Sequence, residues 1–321
     1  MPRVHATSCS AASRLALIGL AIVWACNSGI PTDPAEENET PPGPNTTAPF
    51  PIDRGDDGAA TPGTYKGLSL RLADNGEPVV TPVDGVIGLV CIGMSNGNQE
   101  CSDFRNRVGA ELAGQINPAV RVVNCAVGGH AIEKWNDPGF DADLWDLCIT
   151  RRLPDAGVRL DQVRVLWHKA ANQFTTGPGN APLPSYPSAG SDYQAFSANL
   201  TAFAARVRGK FPGVQAVYSS SRSFGGYAGN VAGRGEPLSY EEGHALNQWL
   251  LAHRTVNGVW YGWAAYLWAD SCGSGIPNAS GICYDRADYV ADGVHPSPSG
   301  QAKISGMLHA RFLEHAWYRR P

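Results

Sequence analysis

Charge is thin in this sequence. Only 17% of its 321 residues are Asp, Glu, Lys or Arg, and 25 basic residues face 29 acidic ones, for a net charge of −4. That balance leaves no global basic footprint, so nucleic acid is not an expected partner. Beyond residue 25 there is no run of about 18 apolar residues, so no transmembrane helix is expected. Cys-x-x-Cys pairs and H-E-x-x-H are both missing, and the histidines and acids form no other metal-ligand pattern, so no metal or other cofactor is expected. There is no internal repeat, which argues against a solenoid. What remains is 43% hydrophobic, enough for one globular core and little for two.

The N-terminal stretch differs from the rest. Arg3 and Arg14 precede LALIGLAIVWA at 15–25, an apolar run of signal-peptide length and short for a bilayer. It ends at Ala25-Cys26, which looks like a bacterial lipoprotein cleavage site with Cys26 acylated, although Trp24 is bulky for one; plain secretion is the alternative. Residues 26–64 are rich in Pro, Gly, Thr and acids and poor in large apolar residues. Such a segment cannot bury enough surface to offset its ordering entropy, so it reads as a disordered tether. A domain is expected over 65–321, exported and anchored to the membrane only through the N-terminal lipid, and monomeric. Six further cysteines, Cys91, Cys101, Cys125, Cys148, Cys272 and Cys283, are an even number in an exported chain and are expected in disulfides. Their pairing stays open. Cys272 and Cys283 flank a Gly/Pro/Ser loop and form the best local bridge.

Five apolar, β-branched runs read as buried strands: 86–92, 120–126, 162–168, 214–220 and 259–267. Helical stretches lie between and after them at about 102–115, 142–152, 192–209, 241–255 and 299–316. Alternating strand and helix implies a doubly wound α/β sandwich. In open sheets of that kind, ligands bind at the carboxyl edge.

Four pieces fall near predicted strand ends. Ser95 lies in GMSNGN, between a strand and a helix, where its hydroxyl can be exposed and its N–H joins a helix N-terminus. Gly128 and Gly129 follow the second strand in NCAVGGH, where a ligand can approach the backbone closely. Asn172 follows the third strand in LWHKAANQF, with an amide able to donate. Asp292 and His295 lie in DGVHPSPSG ahead of the last helix; the imidazole can take a serine proton and the carboxylate can hold its far nitrogen. Each piece alone is an ordinary turn or cap. Their order and spacing together are less ordinary.

On these motifs the sequence resembles the SGNH (GDSL-type) hydrolases over roughly residues 86–312, in an uncharacterised bacterial branch suggested by IGMSNGNQE, SSRSFGGYA and YEEGHALNQW. The resemblance implies a flavodoxin-like three-layer α/β sandwich with a five-stranded, mainly parallel sheet. It makes Ser95 the nucleophile, His295 the general base and Asp292 its orienting acid. The Ser95 and Gly129 N–H groups and the Asn172 side chain would form the oxyanion hole. Gly129 lies five residues after Asn124, as in the family's N-x-x-x-x-G pattern. Two departures stand out: block one reads G-M-S-N, and block three reads K-A-A-N-Q where the family has G-x-N-D.

Other residues near these turns are candidates for substrate binding. Asn96 either contacts substrate or caps the helix. Lys169 either meets an anionic group or is solvated. Arg222 and Tyr227 either line the pocket or pair with Glu241. His130 is a rim candidate and His168 a core or rim group. The cluster Trp260, Tyr261, Trp263, Tyr266 and Trp268 reads as core before sugar platform. The expected activity is hydrolysis of an ester, a small molecule or a glycan, through an acyl-enzyme, with O-acetyl groups on carbohydrate as the lead substrate class. Lipid or aryl esters, or glycan binding without turnover, are the alternatives.

Overall fold

The computed structural model describes residues 72–321 apart from 170, 174, 182, 185, 187, 229–232, 237 and 275–280. The leader, the tether and Cys26 lie outside the described residues.

Six strands form one sheet: β1 (Ile87–Gly93), β2 (Val120–Asn124), β3 (Val163–Lys169), β4 (Ala216–Ser220), β5 (Thr255–Val256) and β6 (Val259–Trp263), in the order β2-β1-β3-β4-β6-β5. The five long strands run parallel, as expected. The sixth, β5, is a two-residue antiparallel edge joined to β6 by the turn at Asn257 and Gly258. Two residues carry no periodicity, so the sequence offered no sign of it. The expected ends run two residues past β2 at 120–126 and four past β6 at 259–267, because buried chain leaving a strand stays apolar.

The helices are α1 (Ser95–Val108), α2 (Ile132–Asn136), α3 (Leu153–Asp155), α4 (Asp192–Lys210), α5 (Leu238–Ala252) and α6 (Pro298–Leu313). The expected helix at 142–152 is built from π-helical turns at Ala142–Asp146 and Cys148–Arg152. The one expected at 102–115 starts at Ser95 instead, directly after the strand. Polar Asn96, Asn98 and Gln99 hide that first turn from an apolar pattern.

Side chains of β1 alternate between two cores. Val90 and Ile92 meet Phe196, Phe203, Tyr240 and Leu246 from α4 and α5 on one face. Leu89 and Cys91 meet Phe104, Leu308 and Phe312 from α1 and α6 on the other. This is a three-layer sandwich in the flavodoxin-like strand order, and its switch point lies between β1 and β3. The aromatic cluster from Trp260 to Trp268 is buried throughout, so it is core and not a sugar platform. His168 is buried with its ring stacked on Phe203 at 3.8 Å, and burial drives its pKa down to about 3.

Three disulfides form: Cys91–Cys101, Cys125–Cys148 and the expected Cys272–Cys283. Cys91 lies in β1 and Cys101 in α1, so the first bridge clamps both sides of the turn that carries Ser95. A buried ion pair reinforces the same turn. Lys169 Nζ, at the end of β3, donates to both Glu100 oxygens at 2.7 and 2.8 Å, and both side chains are nearly sealed from solvent. Burial pushes the Lys169 ammonium below its ordinary range, against the pull of Glu100. Removing one partner strands the other charge. Glu100→Gln is therefore expected to cost about 3–5 kcal/mol, read from the denaturant midpoint, while a Glu100→Met/Lys169→Met double variant regains most of that loss.

Candidate active site

The switch point places the ends of β1 and β3 side by side, with Gly93 opposite Lys169 in register. A Cβ at Gly93 would stand 2.8 Å from the Lys169 carbonyl oxygen. Only glycine lets β1 end this close to β3 and turn at once into α1. Ser95 is the first residue of that helix, after Met94, which supplies no side-chain cap. The helix's leading N–H groups, Ser95 among them, have no carbonyl within the helix to bond.

The Asp292–His295 loop comes from far along the chain to meet this turn. Gly293 adopts φ +68°, and any Cβ there would run into the Tyr227 carbonyl. Asp292 Oδ1 accepts from the amides of Val294 and His295 at 2.8 and 2.9 Å. Its Oδ2 is 2.6 Å from His295 Nδ1, and His295 Nε2 is 2.8 Å from Ser95 Oγ. Partial burial works to raise the Asp292 pKa, but the imidazole and the two amides outweigh it and hold the carboxyl below its usual range. An ionised carboxylate only accepts, so the proton of neutral His295 lies on Nδ1 and Nε2 is left to accept from the serine hydroxyl. Asn96 Nδ2 donates to the Val294 carbonyl at 2.9 Å and ties the histidine loop to α1. It makes no helix cap.

A cavity opens beside this chain of hydrogen bonds. Its wall includes Ser95, Asn96, Gly129, Lys169, Gln173, Arg222, Arg234 and His295. Asn172, expected to point into it, does not line it. Its side chain is buried: Nδ2 donates to Asp192 Oδ1 at 2.9 Å, and Oδ1 accepts from Asn199 at 2.9 Å. The buried Asp192 carboxylate competes for the amide and wins it. The next residue, Gln173, faces the cavity instead. Its backbone is clamped, with N–H donating to Glu133 at 2.8 Å and C=O accepting from Arg234 at 3.2 Å. Its buried side-chain Oε1 has no hydrogen-bond partner among the described residues.

The other candidates keep only part of their expected roles. Lys169 is neither solvated nor free for an anion, because Glu100 holds its ammonium. Arg222 pairs with Glu242 at 2.7 Å, not with Glu241, and it also lines the cavity. Tyr227 turns away, its hydroxyl donating to the Tyr284 carbonyl at 3.0 Å. His130 lies outside the lining, with Nδ1 2.7 Å from the Gly128 carbonyl and its ring edge on Phe140. Gln173 and Arg234 went unread in the sequence. Gln173 was hidden by the block-three comparison that drew attention to Asn172 beside it, and Arg234 sits in a Gly-rich stretch with no periodic signal.

No family model matches the chain, and no curated relative matches it. Solved structures of similar shape include the lipase/acylhydrolase of Enterococcus faecalis, at 13% identity over 71% of this chain and 96% of that one, TM-score 0.41. Another is a chain from Parabacteroides merdae described as a GDSL-like lipase, at 11% identity over 73% of this chain and 98% of that one, TM-score 0.41. Likeness that loose says nothing of chemistry. The flavodoxin-like strand order and the meeting of Ser95 with His295 agree with the expectation drawn from the sequence motifs.

Proposed function

We propose that the protein is a serine ester hydrolase working through an acyl-enzyme. The observation that carries this is the unbroken run from Ser95 Oγ through the His295 ring to Asp292, at 2.8 and 2.6 Å. His295 Nε2 takes the hydroxyl proton as Ser95 Oγ bonds to the acyl carbon. The same nitrogen then gives that proton to the departing alkoxide. Water, deprotonated by His295 in turn, attacks the acyl-enzyme; the acid leaves and Ser95 recovers its proton.

The oxyanion is met by the N–H groups of Ser95 and Gly129. His130 and Lys134 support the second of these, by holding the Gly128 and Gly129 carbonyls. In a planar trans peptide the Gly129 N–H points opposite the Gly128 carbonyl, so His130 acts as a positioning residue. The third donor in this reading is the Gln173 amide, in place of Asn172. Gln173→Ala should lower kcat about 100-fold with KM little changed. An unchanged kcat would remove Gln173 from the role.

Export on a lipid anchor suits a substrate outside the cell, with O-acetyl esters on carbohydrate the lead class. The diversion of Asn172 favours the rival reading, a glycan binder without turnover. Incubating the full chain with a fluorophosphonate probe and with p-nitrophenyl acetate separates the two. Labelling with turnover supports the hydrolase, and neither, in a folded sample, overturns it.

A further inference from the structure

The wall of the cavity beside Ser95 contains no Asp or Glu among the described residues. Its permanent charges are Lys169, Arg222 and Arg234, in a protein whose net charge is −4. Two of these cations are spent. Lys169 is held by Glu100, while Arg222 forms an ion pair with Glu242 and donates from Nη2 to the Asn172 carbonyl. Arg234 differs: it makes one hydrogen bond, to the neutral Gln173 carbonyl, and no ion pair among the described residues. A guanidinium cannot shed its proton to escape partial burial. Leaving it unpaired is costly unless something else completes it.

The position of Arg234 is also built. Thr175 Oγ1 donates to the carbonyl of Gly233 beside it. Two residues on, half-buried Glu236 accepts from the Gly225 amide and the Trp268 indole at 2.6 and 3.0 Å. These bonds fix the segment that presents Arg234 against the one that carries Phe224 and Gly225, both cavity residues. The acids nearest it are committed elsewhere: Glu242 to Arg222, Glu133 to the Gln173 amide and Asp192 to Asn172. None of them lines the cavity.

We propose that Arg234 binds a carboxylate on the substrate, so that the ester hydrolysed here is an acidic one. This rests on the reading of the site as an ester hydrolase. A planar guanidinium fork matches a carboxylate in two parallel hydrogen bonds, which Lys169 could not offer even if it were free. On a glycan, the proposal selects acidic sugars over neutral ones. The carboxylate belongs either to the acyl part or to the alcohol part, and the two arms of the test separate these.

The acyl arm compares mono-4-nitrophenyl succinate with 4-nitrophenyl butyrate, on the full-length protein. The alcohol arm compares O-acetyl-lactate with O-acetyl-lactamide. In at least one pair the anionic ester should have a kcat/KM about 10-fold or more above its neutral partner. Arg234→Gln should erase that ratio, and Arg234→Lys should keep part of it. Circular dichroism and the melting temperature check that both variants fold. No anionic preference in either pair, or a preference that survives Arg234→Gln, overturns the proposal and leaves the hydrolase standing. If no ester is turned over at all, the hydrolase reading fails and calorimetry decides the anion site. Succinate or O-acetyl-lactate binding to the full chain that is lost in Arg234→Gln supports it; no binding overturns it.

Discussion

A Ser95→Ala chain is expected to lose fluorophosphonate labelling outright and ester turnover by about 10⁵-fold or more. It should keep its fold. Ser95 opens α1 without capping it, and the turn is held from outside by Cys91–Cys101, by Lys169 on Glu100 and by Asn96 on Val294. An unaltered melting temperature beside abolished turnover isolates the chemical role of the hydroxyl. His295→Ala should match it closely and the double variant should add little, because the two groups act as one unit. Turnover that survives Ser95→Ala would sink the acyl-enzyme mechanism.

Asp292→Asn is expected to lower kcat about 10⁴-fold with the loop intact. The asparagine oxygen can still accept from the amides of Val294 and His295, which hold the turn in place. Its NH₂ group would face His295 Nδ1 where an acceptor now stands, 2.6 Å away. That forces the ring proton onto Nε2, which then donates toward Ser95 Oγ instead of accepting from it. The wild-type carboxyl sits below its usual range, so it stays ionised as pH falls through that range, and acid there should not convert the carboxylate to an Asn-like neutral group. The kcat profile of the wild-type chain against pH, set beside that of Asp292→Asn, checks this. A loss below about 10-fold would mean that the carboxylate only braces the loop.

Much of the scaffold was legible from local pattern. The five parallel strands and the helices α4, α5 and α6 each announce themselves through apolar runs and periodic faces, because burial on both sides of a sheet leaves few other compositions. D-x-x-H was legible for a different reason. Asp292 and His295 are three residues apart, so their contact is set by one turn of chain. The start of α1 was legible from the strand-end serine but not from apolar periodicity, since its first turn is polar and its position follows from β1 ending against β3 at Gly93.

The sequence by itself therefore determined the order of the elements, the strand-end serine and the carboxylate–imidazole pair. These depend on near neighbours and on how apolar each short segment is. The tertiary structure alone decided the rest. Ser95 and His295 lie 200 positions apart and meet only because the topology brings the α6 loop to the β1 edge. Which of two adjacent amides serves the cavity was settled by Asp192, twenty residues away, which took Asn172 and left Gln173. Which cations are free was settled the same way, by the buried acids Glu100 and Glu242, which leave Arg234 without an ion pair among the described residues. A side chain's charge is written in the sequence, but its partner is chosen by packing. Inside a protein an unpaired polar group is costly enough that the partner decides its role.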